Sequence, residues 1–82
     1  MNENGTIDSR VVDAVAKVFH RDSSDISLDT RYVEDLMSKS LNVIELTAVL
    51  ESEFDVDIPG ADARRCRTVG DTVSLIRQIV SD

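Results

Sequence analysis

One side chain in this sequence stands where a hydroxyl group could take part in chemistry. Ser40 opens the only long amphipathic segment, with Leu41 directly after it and an acidic run at residues 51–55. A serine at such a junction can cap the helix by accepting a hydrogen bond from a free backbone N–H group, and Ser38 could do the same. Alternatively, its hydroxyl can carry a phosphate-linked group, because the positive end of a helix favours an anion. Without other context the cap is favoured, since serine is common at helix starts.

The other reactive side chains form no cluster that would indicate catalysis or metal binding. His20 is the only histidine, and its place near the end of a predicted helix favours an interaction with that helix's C-terminus. Cys66 has arginines on both sides, which would lower the pKa of an exposed thiol, but a free cysteine is more often buried. The Ser/Asp cluster 22–25 lacks the central glycine and final glutamate of a calcium loop, so a solvated turn is expected. We therefore predict no metal site.

Length and charge restrict the class of protein. The 82 residues suit one small domain, residues 1–82, and leave no room for the deep pocket of an enzyme. Nine basic and sixteen acidic residues give a formal charge of −7, which argues against nucleic-acid binding and for partners with a positive surface. The polar amino terminus is not expected to act as a signal segment, and no stretch approaches the ~18 apolar residues of a membrane span. We expect a cytoplasmic monomer that is not an enzyme.

Hydrophobic periodicity predicts helices and no strands. Apolar residues at helical spacing predict a first helix over residues 7–19, with Thr6 as its N-cap. A second helix is expected from Ser40 to about Glu53, and its broad apolar face indicates several packing neighbours. Residues 61–66 can form a short turn or helix, and a capping box at 68–71 opens the last helix. The segment 21–39 is too long to remain structureless, and its expected anchors are Ile26, Leu28, Tyr32, Val33 and Leu36.

The spacing of residues around Ser40 resembles that of acyl carrier proteins. Those carriers read Glu-Asp-Leu-Gly-x-Asp-Ser-Leu, then Glu-Leu four residues further on, and later Phe-Asp and Ile-Pro. The matching segments in this sequence are Glu34-Asp35-Leu36, Ser40-Leu41, Glu45-Leu46, Leu50-Glu51, Glu53-Phe54-Asp55 and Ile58-Pro59. The match runs without a gap from about Ile26 to Ile76. Met37 stands where the family usually has glycine, and Lys39 where it usually has aspartate.

The resemblance implies an all-α fold, a small antiparallel four-helix bundle with three main helices and one short helix. It implies that Ser40 carries 4′-phosphopantetheine, attached from coenzyme A by a phosphopantetheinyl transferase, and that acyl groups are held as thioesters on that arm. Acyl-transferring and acyl-modifying enzymes with basic patches are then expected to dock at Lys39, Leu41, Asn42, Glu45, Glu51 and Glu53. The acyl chain is expected between the helices, at Tyr32, Val33, Leu36, Leu46, Leu50, Ile58, Ala63, Cys66, Thr72 and Ile76.

Three functions are compatible with this resemblance. The acidic composition favours a discrete carrier in fatty acid, lipid or polyketide-type biosynthesis. An aminoacyl or peptidyl carrier is an alternative. The third function is an interaction module that keeps the fold but is never modified, because Lys39 and Met37 impair recognition by the transferase. The pocket residues are also compatible with an ordinary core, since any helical bundle needs apolar side chains inside it.

Overall fold

The computed structural model describes residues 6–81, which form five α-helices. They are α1 (Ile7–Phe19), α2 (Tyr32–Leu36), α3 (Ser40–Phe54), α4 (Gly60–Arg65) and α5 (Val69–Ser81), with a 3₁₀ turn at Ser23–Asp25 between α1 and α2. The three long helices and the short α4 confirm the predicted all-α bundle, whereas α2 was not predicted. Residues 1–5, on which the expectation about a signal segment rests, lie outside the described range.

Helix α1 begins and ends where its sequence predicts. The Thr6 hydroxyl accepts a hydrogen bond from the Ser9 N–H at 3.1 Å, which satisfies one of the donors that the first turn leaves free. His20 ends the helix in the left-handed conformation (φ 58°), and the Arg21 N–H donates to the Ala16 carbonyl at 2.9 Å. His20 thus closes the C-terminus of α1 through its backbone.

The hydrophobic core lies where α1 packs against α3 and α5. Val11 and Val15 of α1 and Val69 and Ile76 of α5 are fully buried, because residues four or seven apart share one face of a helix. The remaining core residues are Ala14, Ala16, Ile26, Tyr32, Leu36, Leu46, Leu50, Ile58 and Val73.

The segment 21–39 is anchored by fewer side chains than its sequence suggests. Ile26, Tyr32 and Leu36 are buried as expected. Leu28 and Val33 are 42% and 67% exposed, so the prediction that they are core anchors is wrong. Much of the attachment of this segment to the rest of the domain comes from backbone hydrogen bonds, so Leu28 and Val33 need not be buried.

Backbone hydrogen bonds join this segment to the start of α5. The Tyr32 N–H donates to the Arg67 carbonyl at 3.0 Å, and the Gly70 N–H donates to the Leu28 carbonyl at 2.8 Å. Helix α2 begins at this attachment and is only five residues long. Such a short helix depends on tertiary contacts, because an isolated turn is unfavourable. The attachment fixes the chain that leads into Ser40.

Helix α3 buries only one side. Leu46 and Leu50 are buried, whereas Leu41 and Ile44 are 65% and 64% exposed. Helices α1 and α4 contact α3 and leave the side with Leu41 and Ile44 open to solvent. Helix α3 thus has more than one packing neighbour, as its broad apolar face indicated, but these neighbours leave two of its large apolar residues exposed.

The predicted capping box opens α5. The Asp71 carboxylate accepts hydrogen bonds from the backbone N–H groups of Arg67 and Thr68 at 2.9 and 3.1 Å. In return, the Asp71 N–H donates to Thr68 Oγ1 at 3.1 Å. These hydrogen bonds to the ionised carboxylate, first that from Arg67 and then that from Thr68, hold the pKa of Asp71 below its usual value.

Candidate functional site

Ser40 is the first residue of α3, and it does not cap the helix. The N-cap is Lys39, whose backbone is extended (φ −117°, ψ 171°) and whose N–H donates to Asn42 Oδ1 at 2.9 Å. Ser38 donates to the Lys39 carbonyl at 3.4 Å rather than accepting from the helix. Ser40 is exposed, and within residues 6–81 its hydroxyl makes no hydrogen bond. The interpretation of Ser40 or Ser38 as the cap is therefore wrong, and the Ser40 hydroxyl is available.

The start of α3 favours negative charge next to this hydroxyl. The first N–H groups of a helix have no acceptor within it, and the first helical hydrogen bond here runs from the Val43 N–H to the Lys39 carbonyl at 3.2 Å. The first turn of α3 contains no acidic residue that would already use the positive end of the helix dipole. An anion attached to Ser40 would therefore be stabilised by α3 itself.

The turn before Ser40 has a left-handed residue where the carrier pattern usually has glycine. Met37 has φ 56° and ψ 41°, and its N–H donates to the Val33 carbonyl at 3.1 Å. This conformation costs most residues other than glycine ~1–2 kcal/mol, which explains the usual preference for glycine here. The Met37 side chain is 75% exposed and adds apolar surface beside the serine.

A cavity of about 250 Å³ lies beside Ser40 and reaches into the core. Its wall includes the exposed residues Lys39 and Ser40 and the deeply buried residues Leu46, Leu50 and Thr72. Because exposed and buried residues share one wall, the cavity connects the surface at the start of α3 with the space between the helices. Its lining is mainly apolar, as in sites that bind apolar ligands.

Most of the residues predicted for an acyl pocket line this cavity. Eight of the ten do so: Tyr32, Val33, Leu46, Leu50, Ile58, Ala63, Cys66 and Thr72. The other two, Leu36 and Ile76, pack into the hydrophobic core with 6% and 0% exposure instead of lining the wall. Val33 lies on the exposed part of the wall, which accounts for its exposure.

Sequence reasoning missed several residues of the cavity wall. These are Phe19, Ser38, Val43, Thr47, Arg64 and Leu75. The apolar members of this set lie at helical spacing, which identifies them only as inward-facing. Which inward-facing residues border a cavity depends on how each helix is rotated about its axis, and a single sequence does not specify that rotation.

Two hydroxyl groups lie together on the buried part of the wall. Tyr32 Oη and Thr72 Oγ1 are 2.6 Å apart, and both residues are buried. Burial raises the pKa of the Tyr32 phenol well above its usual value, since it disfavours the phenolate. Both groups are therefore neutral hydroxyls at physiological pH.

Cys66 is half-buried on the same wall, so its expected burial is only partial. Burial raises the pKa of its thiol; the nearby Thr72 hydroxyl opposes this rise, and the carboxylates of Asp71 and Asp62 add to it. The neighbouring arginines therefore do not produce the lowered pKa that they would give an exposed thiol. The thiol donates to the Asp62 carbonyl at 3.6 Å, and its raised pKa makes Cys66 a weak nucleophile.

Four of the predicted docking residues lie within the first turns of α3 or directly before it. Lys39, Leu41 and Glu45 are exposed, and Asn42 is half-buried. Asn42 Nδ2 donates to Glu45 Oε1 at 3.5 Å, and Glu45 remains exposed to solvent. Ile44 is also exposed, so apolar and charged groups alternate around Ser40.

The other two predicted docking residues have partners within the chain. Glu51 Oε2 accepts a hydrogen bond from the Ile58 N–H at 2.8 Å, which fixes the loop between α3 and α4. Glu53 pairs with Arg10 at 3.0 Å and thereby links α3 to α1. Both carboxylates stabilise local structure, and of the predicted acidic docking residues only Glu45 lacks a charged or backbone partner in the described part of the chain.

Neither a metal site nor a membrane helix is found in the part of the chain that the structure describes. No group of three or more His, Cys, Asp or Glu side chains between residues 6 and 81 is placed to hold a metal ion. Over the same residues, no helix is long and apolar enough to cross a membrane.

Comparison with known proteins assigns the family. The family model described as a phosphopantetheine attachment site matches residues 9–76. The acyl carrier proteins of Rickettsia canadensis (strain McKiel) and Rickettsia typhi (strain ATCC VR-144 / Wilmington) are 35% and 33% identical over 78 residues, 95% of this chain and 91% of each relative. A solved structure from Mycobacterium tuberculosis, assigned as an acyl carrier protein, is similar with a TM-score of 0.82 at 27% identity, covering 89% of this chain and 97% of that one. The chain belongs to the acyl carrier protein family, whose cofactor is 4′-phosphopantetheine.

Proposed function

We propose that this protein is a discrete acyl carrier in fatty acid, lipid or polyketide-type biosynthesis, with phosphopantetheine attached at Ser40. The observation that carries the proposal is the exposed Ser40 hydroxyl, which has no hydrogen bond within residues 6–81 and lies at the mouth of a cavity. A free hydroxyl can be modified without breaking an existing interaction. When attached, phosphopantetheine supplies a flexible arm whose terminal thiol forms thioesters with acyl groups.

The surroundings of Ser40 fit a phosphodiester. The first turn of α3 offers free N–H groups and no acidic residue, and Lys39 adds a positive charge next to the serine. No described side chain is hydrogen-bonded to Ser40 Oγ, so the base that removes its proton must come from the transferase. The carrier itself contributes position and a favourable field.

The cavity gives the attached acyl group a place away from water. Its volume of about 250 Å³ exceeds the ~150 Å³ of an engineered cavity that binds benzene and falls below the ~300–1,000 Å³ of sites for drug-sized ligands. A short acyl chain fits this range. Burial of such a chain against Leu46 and Leu50 would add ~0.8 kcal/mol for each methylene group removed from water.

The exposed side of α3 supports docking of partner enzymes. Leu41 and Ile44 offer apolar contact area, and Glu45 offers a carboxylate to a basic residue of the partner. We propose that phosphopantetheinyl transferase and the enzymes that load or modify the acyl group approach along this side. The protein itself then carries substrate and catalyses nothing.

A carrier-fold module that is never modified is the second candidate. Two features favour it, namely Met37 in the left-handed turn and the cation Lys39 immediately before the serine. Neither feature blocks access to Ser40, which is exposed. The open hydroxyl and the adjoining cavity therefore favour the carrier, of which an aminoacyl or peptidyl carrier is a variant with a different cargo.

In vitro attachment tests the proposal. The protein is incubated with coenzyme A and a broad-specificity phosphopantetheinyl transferase, and its intact mass is measured. We expect one phosphopantetheine on the wild type and on Ser38→Ala, and none on Ser40→Ala. Ser38→Ala is the matched control because it removes a hydroxyl two residues away. Unmodified wild type would favour the module, and modified Ser40→Ala would refute the assigned residue.

A further inference from the structure

We infer that the buried part of the cavity selects an acyl chain with an oxygen substituent over a saturated chain, through the hydroxyl groups of Tyr32 and Thr72. The inference rests on the proposed carrier function and adds the class of cargo. Both residues line the cavity, both are buried, and their oxygens are 2.6 Å apart.

The Tyr32 and Thr72 hydroxyl groups together have one proton more than their mutual hydrogen bond uses. Two hydroxyl groups bring two donor protons, and only one of them lies in the bond between Tyr32 and Thr72. Whichever hydroxyl accepts this bond keeps its own proton. Within residues 6–81, no carbonyl or carboxylate accepts from either hydroxyl. The one other group near the pair is the Cys66 sulfur, which interacts with the Thr72 hydroxyl but is a weak acceptor. A buried donor without a strong acceptor is unfavourable, so the pair can offer one donor to an oxygen that enters the cavity.

The remaining polar groups of the wall do not compete for this role. The Thr47 hydroxyl already donates to the Val43 carbonyl at 2.7 Å. The Cys66 thiol donates to the Asp62 carbonyl at 3.6 Å, and its sulfur accepts too weakly to compete with a carbonyl or hydroxyl oxygen for the Thr72 proton. The other polar wall residues, Ser38, Lys39, Ser40 and Arg64, are exposed or half-buried. The available donor in the buried part of the cavity therefore belongs to Tyr32 and Thr72.

Packing alone does not require these two hydroxyl groups. Phenylalanine and valine would fill nearly the same volume, and replacing both partners of a buried hydrogen bond by apolar groups of the same shape is often nearly neutral. A carbonyl or hydroxyl oxygen on the acyl chain would accept the spare proton, whereas a saturated chain leaves it unpaired. One net hydrogen bond corresponds to roughly a fivefold preference for the oxygenated chain inside the cavity.

The test compares acyl chains of one length on the wild type and on the double variant Tyr32→Phe/Thr72→Val. Each protein is loaded at Ser40 from hexanoyl-, 3-oxohexanoyl- or 5-oxohexanoyl-coenzyme A by a phosphopantetheinyl transferase. Thioester hydrolysis is then measured and divided by the rate of the corresponding free pantetheine thioester, which removes intrinsic differences in reactivity. In the wild type, we expect at least one oxo chain to be protected roughly fivefold more than hexanoyl. In the double variant, this preference should disappear.

A second measurement needs no variant. NMR of the loaded wild type should show the Tyr32 ring and hydroxyl resonances shifting with an oxo chain and much less with hexanoyl. Equal protection of all three chains by the wild type, or an undiminished preference in the double variant, would overturn the inference while leaving the carrier function intact. If none of the three acyl chains can be attached at Ser40, both the proposed function and this inference are contradicted. The two failures are therefore distinguishable.

Discussion

Gly70 and Leu28 are in direct backbone contact. The Gly70 N–H donates to the Leu28 carbonyl at 2.8 Å, and a Cβ atom added at residue 70 would lie 3.0 Å from the same oxygen. The carbonyl cannot move away without weakening that hydrogen bond. This contact holds the segment before α2 against α5, and α2 leads directly into the turn that presents Ser40.

Gly70→Ala should destabilise the domain by about 1 kcal/mol. Alanine gains at most ~1 kcal/mol in helix propensity over glycine, while forcing a methyl group into a closely packed site costs ~1–3 kcal/mol. The free energy of unfolding, measured by urea denaturation, checks this expectation. Ser74→Ala, at an exposed position of the same helix, is the control and should not destabilise. Equal stability of Gly70→Ala and the wild type would show that the Leu28 carbonyl can shift away from the added methyl group without a cost in free energy.

Asp71 should make the stability of the domain sensitive to acid. Hydrogen bonds from the Arg67 and Thr68 N–H groups lower the pKa of Asp71 in the folded state. The ionised carboxylate therefore stabilises the fold when the pH is above the pKa of ~3.9 that Asp71 has in the unfolded chain. This contribution is lost as pH falls through the lower folded pKa. Asp71→Asn keeps an oxygen acceptor but loses the negative charge in the first turn of α5, so it should be less stable by up to about 1 kcal/mol near pH 7 and approach the wild type near pH 2. Unfolding curves at both pH values test this; Asp29→Asn, exposed in the loop before α2, is the control. A constant difference across pH would contradict it.

Lys39→Asp should increase the rate of modification by transferases of ordinary fatty-acid synthesis. Such a transferase, approaching with basic residues, would meet a carboxylate instead of an ammonium group. Aspartate is also a better N-cap than lysine, so α3 should gain ~1 kcal/mol. Initial rates of attachment and thermal unfolding measure the two effects. Met37→Gly should give a smaller rate increase, and Arg21→Asp, with a similar charge change at an exposed site after α1, should give none. Equal rates for Lys39→Asp and the wild type would show that this charge does not affect recognition.

Glu45→Lys should slow acyl transfer from a basic partner without changing the fold. Glu45 is exposed on α3, and a charge at the edge of an interface acts mainly on the rate of association. Transfer kinetics at low salt, with circular dichroism as a check of helix content, measure this effect. Asp13→Lys makes the same charge change on the exposed side of α1 and should have less effect. If both variants transfer at the wild-type rate, the acidic side of α3 serves only solubility.

The long helices could be predicted because their signals are local. Thr6 caps α1, and Thr68 with Asp71 caps α5, as side-chain type and spacing indicate. Helix α2 was missed because its five residues are too few for a periodic signal, and its first N–H bonds to Arg67, which is distant in sequence.

In the candidate site, too, the features with a local sequence signal were predicted, and the contacts between residues distant in sequence were not. The position of Ser40 follows from a local motif. The structure adds that Asn42 Oδ1 accepts a hydrogen bond from the Lys39 N–H at the start of α3, while the Ser40 hydroxyl takes no part in capping. The contacts of Glu51 with Ile58 and of Glu53 with Arg10 arise from the fold and could not be read from a run of acidic residues. The spare proton of the Tyr32–Thr72 pair likewise appears only when α2 meets α5.

The central claim is that Ser40 carries phosphopantetheine, and the most direct test is the mass of the native protein. The protein is purified from its own host under conditions that preserve thioesters, and its intact mass is measured before and after peptide mapping. We predict the mass of one phosphopantetheine, with or without an acyl group, on the peptide that contains Ser40. A chain recovered only at its unmodified mass, in cells whose other carriers are modified, would contradict the account.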